Sequence, residues 1–415
     1  MEPEIKQRIE QLNNGKIPKG YKKTDFGVFP SDWVTDKKLI DIGTFGKGKG
    51  IPGNKMQSDG VPCVGYGDIY MKYNHFHFEE AQSFVDEETA KDSQLIKKGT
   101  LLFTGTGETA EEIGKCVCYN GCSTICAGGD IITFVPQDVN PLFLAYQQYQ
   151  NFSLKKKASF GQGHSVVHIQ KESLEKLNVA YPESKNEQSR IVEILMKWDK
   201  AIELYDKQID ALTRYKAVCL KKMFPIKGQS VPEWRFQGFS GDWEQRKLGE
   251  LCNITTGKLD ANAMVSDGQY DFYTSGIDVF KIDVAAFEGP AITIAGNGAS
   301  VGYMHLADGE FNAYQRTYVL TDFLADRQFL NVAIGNELPD KIQEEVRGSG
   351  IPYIVLNMLT DLAIPFPSHE EQYAIGVYFQ QLDKLITLHQ RKKEVITNQR
   401  KTLQEYLLNG IVRVR

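Results

Sequence analysis

Apolar side chains recur at a heptad spacing along one stretch of the chain, residues 187–224. At ~1.5 Å per residue, positions 191 to 223 predict a helix about 50 Å long. This helix is too long, and its apolar stripe too narrow, for an ordinary surface helix of a compact domain, so it needs a partner helix. The stripe, interrupted by Lys216, consists of Ile191, Leu195, Trp198, Ile202, Tyr205, Ile209, Leu212, Cys219 and Met223.

The same pattern returns 184 positions later, where seven of the ten columns are apolar. A proline followed by a Glu-Gln pair precedes both copies, at Pro182 with Gln188 and at Pro367 with Gln372. Two unrelated surface helices would have no reason to share this approach. We therefore predict a tandem repeat of a large unit. The second stripe reads Ile375, Phe379, Leu382, Ile386, His389, Lys393, Ile396, Arg400, Leu403 and Leu407.

The segments that precede the two helices have the short apolar runs and glycine turns of β domains. Residues 30–180 contain such runs, with one helix predicted near 141–152, and residues 235–365 repeat this plan. We predict an α+β fold in which two mostly β domains are separated by two long antiparallel helices that form a coiled coil with pseudo-twofold symmetry. The predicted segments are an N-terminal part with the first β domain (1–182), the first helix (183–226), the second β domain (227–366), and the second helix with the tail (367–415).

The antiparallel direction follows from the order of these segments. Because only one β domain lies between the helices, the second helix starts where that domain ends, and a β domain is expected at each end of the pair. Residues 1–29 predict a short helix and an extended linker, and residues 407–412 weakly echo residues 12–17. A circular arrangement with both termini close together would explain this echo.

The composition is that of an ordinary globular protein, with 415 residues, of which 41% are hydrophobic and 24% charged. No apolar run approaches the ~18 residues of a membrane span, and the N-terminus has no signal-peptide core. Seven cysteines, an odd number, indicate a reducing compartment, and we predict a cytoplasmic protein without membrane partners. Four of them, from Cys116 to Cys126, lack zinc-finger spacing, so strand or turn cysteines are favoured over a metal site and their role stays open.

The motifs that would indicate catalysis are incomplete. Residues 105–110 fit a dinucleotide fingerprint, G-x-G-x-x-A, but the segment that follows is too short for the helix that such a site needs. There is no Walker loop, no His-Glu-x-x-His pattern, and no Asp/Asn-Pro-Pro-aromatic stretch that would hold a target base. We therefore predict a non-catalytic chain without a metal or cofactor of its own, with a nucleotide-binding enzyme built on Gly105 and Gly107 as one alternative.

The β domains do contain glycine-rich loops with basic, polar and aromatic residues. The net charge of −5 argues against a nucleic-acid binder as a whole, so a DNA contact would have to come from these loops. Glycine allows close backbone approach, Lys and Arg bind phosphates, and Gln, Asn and Arg can read base edges. Each loop alone could be a plain solvated turn, but their recurrence at matched places favours a shared use. The candidate residues are Lys47, Lys49, Lys55, Tyr66, Thr104, Thr106, Lys155, Lys156, Gln162 and His164 in the first domain and Lys258, Tyr273, Ser275, Asn297, Gln315, Arg316 and Arg347 in the second.

The chain from about residue 17 onwards resembles a known family. The residues that carry the resemblance are Phe224 with Pro225, the segment from Trp234 through Trp243 to Leu248, and the two proline and Glu-Gln approaches. They are similar to those of the DNA-specificity subunit of type I restriction-modification enzymes. Lys393 and His389 depart from a fully apolar coiled coil, which puts local packing in question rather than the family.

This resemblance implies a function in phage defence. It implies two target-recognition domains that each read one half of a bipartite, asymmetric site on double-stranded DNA, with two long helices as spacers. It further implies two methyltransferase subunits that use S-adenosylmethionine and, in the full complex, two restriction subunits that use ATP and Mg²⁺. The alternative is a coiled-coil adaptor whose two β domains bind a ligand or another protein.

Overall fold

The chain folds into two compact units, each of which combines a β-rich part with one end of both long helices. The structure is a computed structural model, and it describes residues 3–73, 76–163, 166–345 and 352–414. Unit 1 consists of Met1–Leu204 and Lys393–Arg415, and unit 2 of Tyr205–Lys392. We call the β-rich part of unit 1 (residues 30–180) head 1 and that of unit 2 (residues 235–365) head 2. Both are mixtures of sheet and helix, which confirms the predicted α+β class.

The helices and strands have the following bounds. The α-helices are α1 (Pro3–Asn13), α2 (Tyr66–Met71), α3 (Glu87–Lys91), α4 (Pro141–Gln147), α5 (Asn151–Phe160), α6 (Lys171–Leu174), α7 (Lys185–Met223), α8 (Leu248–Leu251), α9 (Arg327–Glu345), α10 (Leu356–Thr360) and α11 (His369–Leu408). The strands up to α7 are β1 (Tyr21–Thr24), β2 (Gly27–Pro30), β3 (Trp33–Val34), β4 (Gly43–Lys47), β5 (Val61–Val64), β6 (His77–Phe78), β7 (Ser83–Val85), β8 (Gln94–Ile96), β9 (Thr100–Thr104), β10 (Thr106–Gly107), β11 (Cys116–Tyr119), β12 (Ile125–Ala127), β13 (Ile131–Pro136), β14 (Val167–His168) and β15 (Tyr181–Pro182). Those after α7 are β16 (Glu244–Lys247), β17 (Asn253–Thr256), β18 (Tyr270–Tyr273), β19 (Val279–Ile282), β20 (Phe287–Glu288), β21 (Ala291–Ala295), β22 (Met304–Ala307), β23 (Glu310–Ala313), β24 (Thr317–Thr321) and β25 (Ala363–Phe366).

Each head is built around a main sheet in which four strands follow the same order, and β6 is a fifth strand found only in head 1, at its edge and parallel to β11. It runs β4-β13-β9-β11-β6 in head 1 and β17-β24-β21-β22 in head 2. The strands shared by the two sheets pair antiparallel throughout. The central strands β9 and β21 are buried along their whole length, which explains their unbroken apolar or small-residue sequences. Because side chains alternate along a strand, Leu101 and Phe103 join the core that contains the long helices, while Leu102 faces a second core.

The second sheet of each head repeats as well. Its order is β7-β5-β12-β8 in head 1 and β19-β18-β23-β20 in head 2. In both heads the two central strands pair parallel and the outer strands antiparallel. Apart from β6, the two heads therefore share strand order and strand direction in both sheets, and the predicted tandem repeat is confirmed.

The two long helices run antiparallel within each unit. In unit 1, Ile191 and Leu195 near the start of α7 share a core with Leu407 near the end of α11. In unit 2, Met223 at the end of α7 shares a core with Phe379 near the start of α11. The helices span 39 and 40 residues, and their antiparallel direction is as predicted from the segment order.

Burial along the predicted helix seam depends on the distance from the heads. The seam residues that pack against a head are buried, since the head covers the side that a second helix leaves open: Ile191, Leu195, Ile375, Phe379 and Leu382. Those farther along are half-buried, as expected where only two helices meet: Trp198, Ile202, Ile209, Leu212, Ile386 and Ile396. Leu403 is also half-buried, although it packs against the core that contains head 1.

This difference predicts the stability cost of seam substitutions. We expect Leu195→Ala to cost about 2–5 kcal/mol, because it leaves a cavity in a closed core. Trp198→Ala should cost less than the ~3–5 kcal/mol of a fully buried aromatic side chain, because water already reaches part of the indole. Denaturant unfolding of the full chain measures both. A larger loss for Trp198→Ala than for Leu195→Ala would contradict this seam geometry.

The two ends of the chain lie together in unit 1. Arg8 donates to the carbonyl of Ile411, and Tyr21 donates to the carbonyl of Gly410. Arg413 in the tail binds Asp32 through two contacts of 2.9 Å and also binds the buried Glu187. The expected circular arrangement is thus confirmed.

Unit 2 builds the same junction from a continuous linker. There Arg235 takes the place of Arg413 and binds Glu371, with Nε–Oε1 and Nη2–Oε2 distances of 2.7 Å. Glu371 is the counterpart of Glu187 in the second repeat. The tail and the N-terminal segment of unit 1 together therefore form the junction that a single linker forms in unit 2.

Two helical regions of the structure differ from what the sequence predicted. The single helix predicted near residues 141–152 is wrong, because α4 ends at Gln147 and α5 starts at Asn151. The break lacks glycine and proline, but the Gln147 side chain binds the backbone of Ala180, which fixes the turn by a contact distant in sequence. Helix α9 in head 2 was not predicted; it contains Pro339.

Among the helices of the described residues, none is both long and apolar enough to cross a membrane.

Candidate nucleic-acid interface

Three loops of head 2 meet at one end of its main sheet. Strands β17 and β21 end there, and β24 begins there. The amide of Gly257 donates to the carbonyl of Thr317 over 3.1 Å, and that of Gly296 donates to the carbonyl of Arg316 over 2.9 Å. These bonds place Lys258, Asn297 and Arg316 in neighbouring loops.

Head 1 forms the same end from its own loops. Gly48 donates to Ile131 over 2.8 Å, and Gly105 donates to Asp130 over 2.8 Å. These two hydrogen bonds are equivalent to the two in head 2, with Gly48 in the place of Gly257 and Gly105 in the place of Gly296. Lys49 therefore corresponds to Lys258, and Asp130 corresponds to Arg316. The predicted residues Lys47, Lys49 and Thr106 therefore lie at one end of the sheet.

Two predicted interface residues are buried inside the heads. Thr104 is the last residue of β9, and its hydroxyl lies 2.8 Å from that of Tyr70. Tyr273 packs against His305 and Phe311, with ring centroids 5.2 and 5.4 Å apart. Both side chains are packed in the interior of the head next to the loops and do not face solvent.

The remaining candidates of head 2 differ in exposure. Lys258, Gln315 and Arg316 are exposed. Asn297 is half-buried, and its amide oxygen accepts a 2.7 Å hydrogen bond from Ser275. Ser275 thereby fixes the orientation of the Asn297 amide next to Arg316.

The remaining candidates of head 1 lie on several elements. Lys55 and Tyr66 are exposed before and in α2, Lys155 and Lys156 are exposed on α5, and Gln162 is exposed just after α5. Two further candidates, His164 and Arg347, lie outside the described residues.

The lysine run on α5 does not form a uniform basic surface. Lys157 points into the head, where its ammonium group donates to the carbonyl of Gly114 over 2.8 Å. Burial lowers the pKa of this lysine to about 8. Because neighbouring positions of a helix face different directions, only Lys155 and Lys156 are available to a phosphate.

The apparent dinucleotide fingerprint does not open a helix. Residues 105–110 lead from β9 into the two-residue strand β10 and a turn, and the next strand is β11. The backbone of this segment pairs with β14, with Thr106 opposite His168. Gly107 belongs to this strand ladder, and Gly105 forms the bend between β9 and β10.

The cysteine cluster is spread over two strands and a turn. Cys116 and Cys118 are buried in β11, Cys126 is buried in β12, and Cys122 is exposed between them. Burial raises the pKa of the Cys116 thiol to about 12. No group of three or more His, Cys, Asp or Glu side chains within the described part of the chain is arranged to hold a metal ion.

Comparison with known proteins identifies the family. Residues 30–214 and 240–398 match the sequence model described as the type I restriction modification DNA specificity domain. The chain belongs to this family. Its two matched segments correspond to the two repeats, each with a head and most of the following helix. The predicted family is confirmed, and the adaptor alternative is not favoured.

The most similar relatives include specificity subunits from bacteria and archaea. The Escherichia coli EcoDI specificity subunit is 38% identical over 176 residues, which cover 41% of this chain and 38% of that subunit. The Methanocaldococcus jannaschii MjaVIII specificity subunit is 26% identical over 64% of this chain and 70% of its own length. The chain thus spans little more than a third of the EcoDI subunit in that match.

Solved structures share the fold. The crystal structure of the type I restriction-modification S subunit from Mycoplasma genitalium matches with a TM-score of 0.62 and 16% identity, over 90% of this chain and 96% of that one. A chain from a structure on complex assembly and conformational transition of the type I system matches with a TM-score of 0.54 and 14% identity, over 96% of this chain and 100% of that one.

Proposed function

We propose that this chain is the non-catalytic subunit that selects the DNA site for a type I restriction-modification complex. Each head reads one half of an asymmetric, bipartite site on double-stranded DNA. The observation that carries the proposal is that the two heads share the same backbone arrangement but have different side chains at matched positions. Both heads present the same loops at the same end of the same sheet, but Thr106 and Asp130 in head 1 correspond to Asn297 and Arg316 in head 2.

The matched lysines and the differing positions suit different parts of DNA. Lys49 and Lys258 follow equivalent glycines and are exposed, as phosphate-binding residues need to be whatever the base sequence. The positions that differ carry hydroxyl, carboxylate, amide and guanidinium groups, which discriminate between base edges in the major groove. An asymmetric site requires two heads that have the same backbone arrangement and different side chains at the positions that contact bases.

Partner subunits supply the chemistry in this proposal. Two methyltransferase subunits bind S-adenosylmethionine and methylate an adenine in each half-site, and two restriction subunits that use ATP and Mg²⁺ join the full complex. This chain supplies docking surface for them on its long helices. The exposed apolar side chains of α7 and α11 in unit 2, outside the seam, support this: Tyr215, Val218, Leu385 and Leu388 are 40–48% exposed at intervals of three residues on each helix.

A mobility-shift assay with the methyltransferase partner tests the function. We expect sequence-specific binding to duplex DNA whose affinity falls steeply with salt, because lysines that neutralise phosphates release counterions. Titration of the chain alone with S-adenosylmethionine or a dinucleotide should show no tight binding. Sequence-independent binding, or tight cofactor binding by this chain alone, would contradict the proposal.

A further inference from the structure

Each head pairs its Gly-x-Gly segment with a short strand from later in the chain. In head 1, Thr106 lies opposite His168 in the β10–β14 ladder. In head 2, Asn297 lies opposite Tyr353 in an isolated antiparallel bridge. We call these two pairs the paired positions.

The backbone hydrogen bonds around the paired positions are equivalent. Ile169 donates to Gly105 over 3.0 Å in head 1, and Ile354 donates to Gly296 over 2.7 Å in head 2. The residues before these two isoleucines are His168 and Tyr353. They therefore occupy the same position in the two repeats, although their sequences gave no sign of it.

Both pairs rest on a rigid support. A Cβ atom on Gly296 would lie 2.3 Å from the carbonyl oxygen of Arg316, so only glycine fits there. Ile169 and Ile354 are 3% and 5% exposed and anchor the later strand in the core of each head. Because side chains alternate along a strand, this burial directs the preceding His168 and Tyr353 outward.

The outward side chains offer polar groups to a ligand. His168 is exposed, and its Nδ1 lies 3.2 Å from the Thr106 hydroxyl, so Nε2 is the ring atom that remains for another partner. Tyr353 is 61% exposed, and its backbone is paired with that of Asn297. The Asn297 oxygen accepts from Ser275, so the amide nitrogen keeps its two donors for a ligand.

We infer that the paired positions are specificity determinants, in which His168 with Thr106 reads a base edge in one half-site and Tyr353 with Asn297 reads one in the other. This inference rests on the proposed function. Three observations favour it: the positions are equivalent in the two heads, they lie beside the basic loops of Lys49 and Lys258, and they carry different hydrogen-bonding groups on the same backbone.

Methylome sequencing in a host that carries this chain and its methyltransferase tests the inference. We expect His168→Ala to relax one base position in one half-site, with a roughly 5- to 150-fold loss of discrimination there, as for one lost base contact. Tyr353→Phe, which keeps the ring and removes the hydroxyl, should relax a position in the other half-site only. Gln170→Ala, an exposed change two residues after His168, is the matched control and should leave the motif unchanged.

The outcomes separate this inference from the proposed function. If both variants assemble with the methyltransferase and keep the wild-type motif, the paired positions do not read bases, while the proposed function stands. A change in both half-sites from either variant would also overturn the assignment. If His168→Ala fails to assemble, His168→Gln, which keeps a polar side chain of similar reach, replaces it, and an unchanged motif from that variant and Tyr353→Phe overturns the inference. Absence of sequence-specific methylation by the wild-type complex would instead count against the proposed function.

Discussion

Replacing Arg400 by methionine should destabilise unit 1 by about 3–5 kcal/mol, because it leaves a buried carboxylate without its counter-ion. Arg400 on α11 binds Asp199 on α7 with an Nε–Oδ1 distance of 2.8 Å, and both side chains are 9% exposed. The other carboxylate oxygen of Asp199 accepts from the Tyr146 hydroxyl over 2.6 Å. After the substitution, a phenol donor alone remains from this network to stabilise the charge.

The substitution also removes contacts between the Arg400 guanidinium and two aromatic rings, which adds to the loss of stability. The guanidinium of Arg400 lies 4.4 Å from the ring centroid of Phe76 and 5.4 Å from that of Tyr146. Arg400 also binds Gln404, one turn later on the same helix. The side chain therefore connects head 1 to both long helices, and its removal should loosen all three elements together.

The second repeat offers a matched control. A shift of 184 positions places Asp383 in the column of Asp199, and Arg400 in the column of Lys216. Lys216 and Asp383 also form an ion pair, at 2.5 Å, but their side chains are 29% and 48% exposed. Because water screens this pair, Lys216→Met should cost at most about 1 kcal/mol.

Hydrogen exchange of the full chain in increasing denaturant measures the two costs separately. Peptides from α4 and the start of α7 report on unit 1, and peptides from α9 and the start of α11 report on unit 2. Equal losses from Arg400→Met and Lys216→Met would show that burial of the ion pair does not determine its contribution.

The repeat and the long helices could be predicted from sequence because both are periodic. A heptad pattern needs only local spacing, and a second copy 184 residues later needs only comparison of the chain with itself. Arg400 appeared in that pattern as a polar interruption of the seam. Its partners Asp199 and Tyr146 lie 201 and 254 residues away in sequence, so the helix spacing gave no indication of a buried network.

The positions of the candidate loops in the fold could be predicted in part. Loops with Lys49, Lys258 and Arg316 were found because glycine next to a basic residue is a local signal. Thr104 was selected for its place beside Gly105, yet strand β9 is buried on both faces. The pairing of His168 with Thr106 was missed because the two residues lie 62 positions apart in sequence.

The two heads should be separable in specificity, and the loop at Gln315 and Arg316 provides the test. Gln315 is held by its backbone, whose amide donates to Leu259 over 2.8 Å, and the side chains of both residues are exposed. Changing both to alanine should weaken or alter the reading of one half-site by about 1–3 kcal/mol for each lost base contact. Since head 1 is built from its own strands and loops, the other half-site should keep its sequence.

Lys258→Ala distinguishes base reading from phosphate binding in the same head. Lys258 lies in the loop next to Gln315, so its loss should weaken binding equally for all sequences and reduce the salt dependence by about one unit of slope. Methylome sequencing shows which base positions relax, and mobility shifts at several salt concentrations give the slope.

If the Gln315 and Arg316 double variant changed both half-sites, or neither at full activity, the assignment of this loop to one half-site would fail. If Lys258→Ala altered the recognised motif, this lysine would contact bases rather than phosphate.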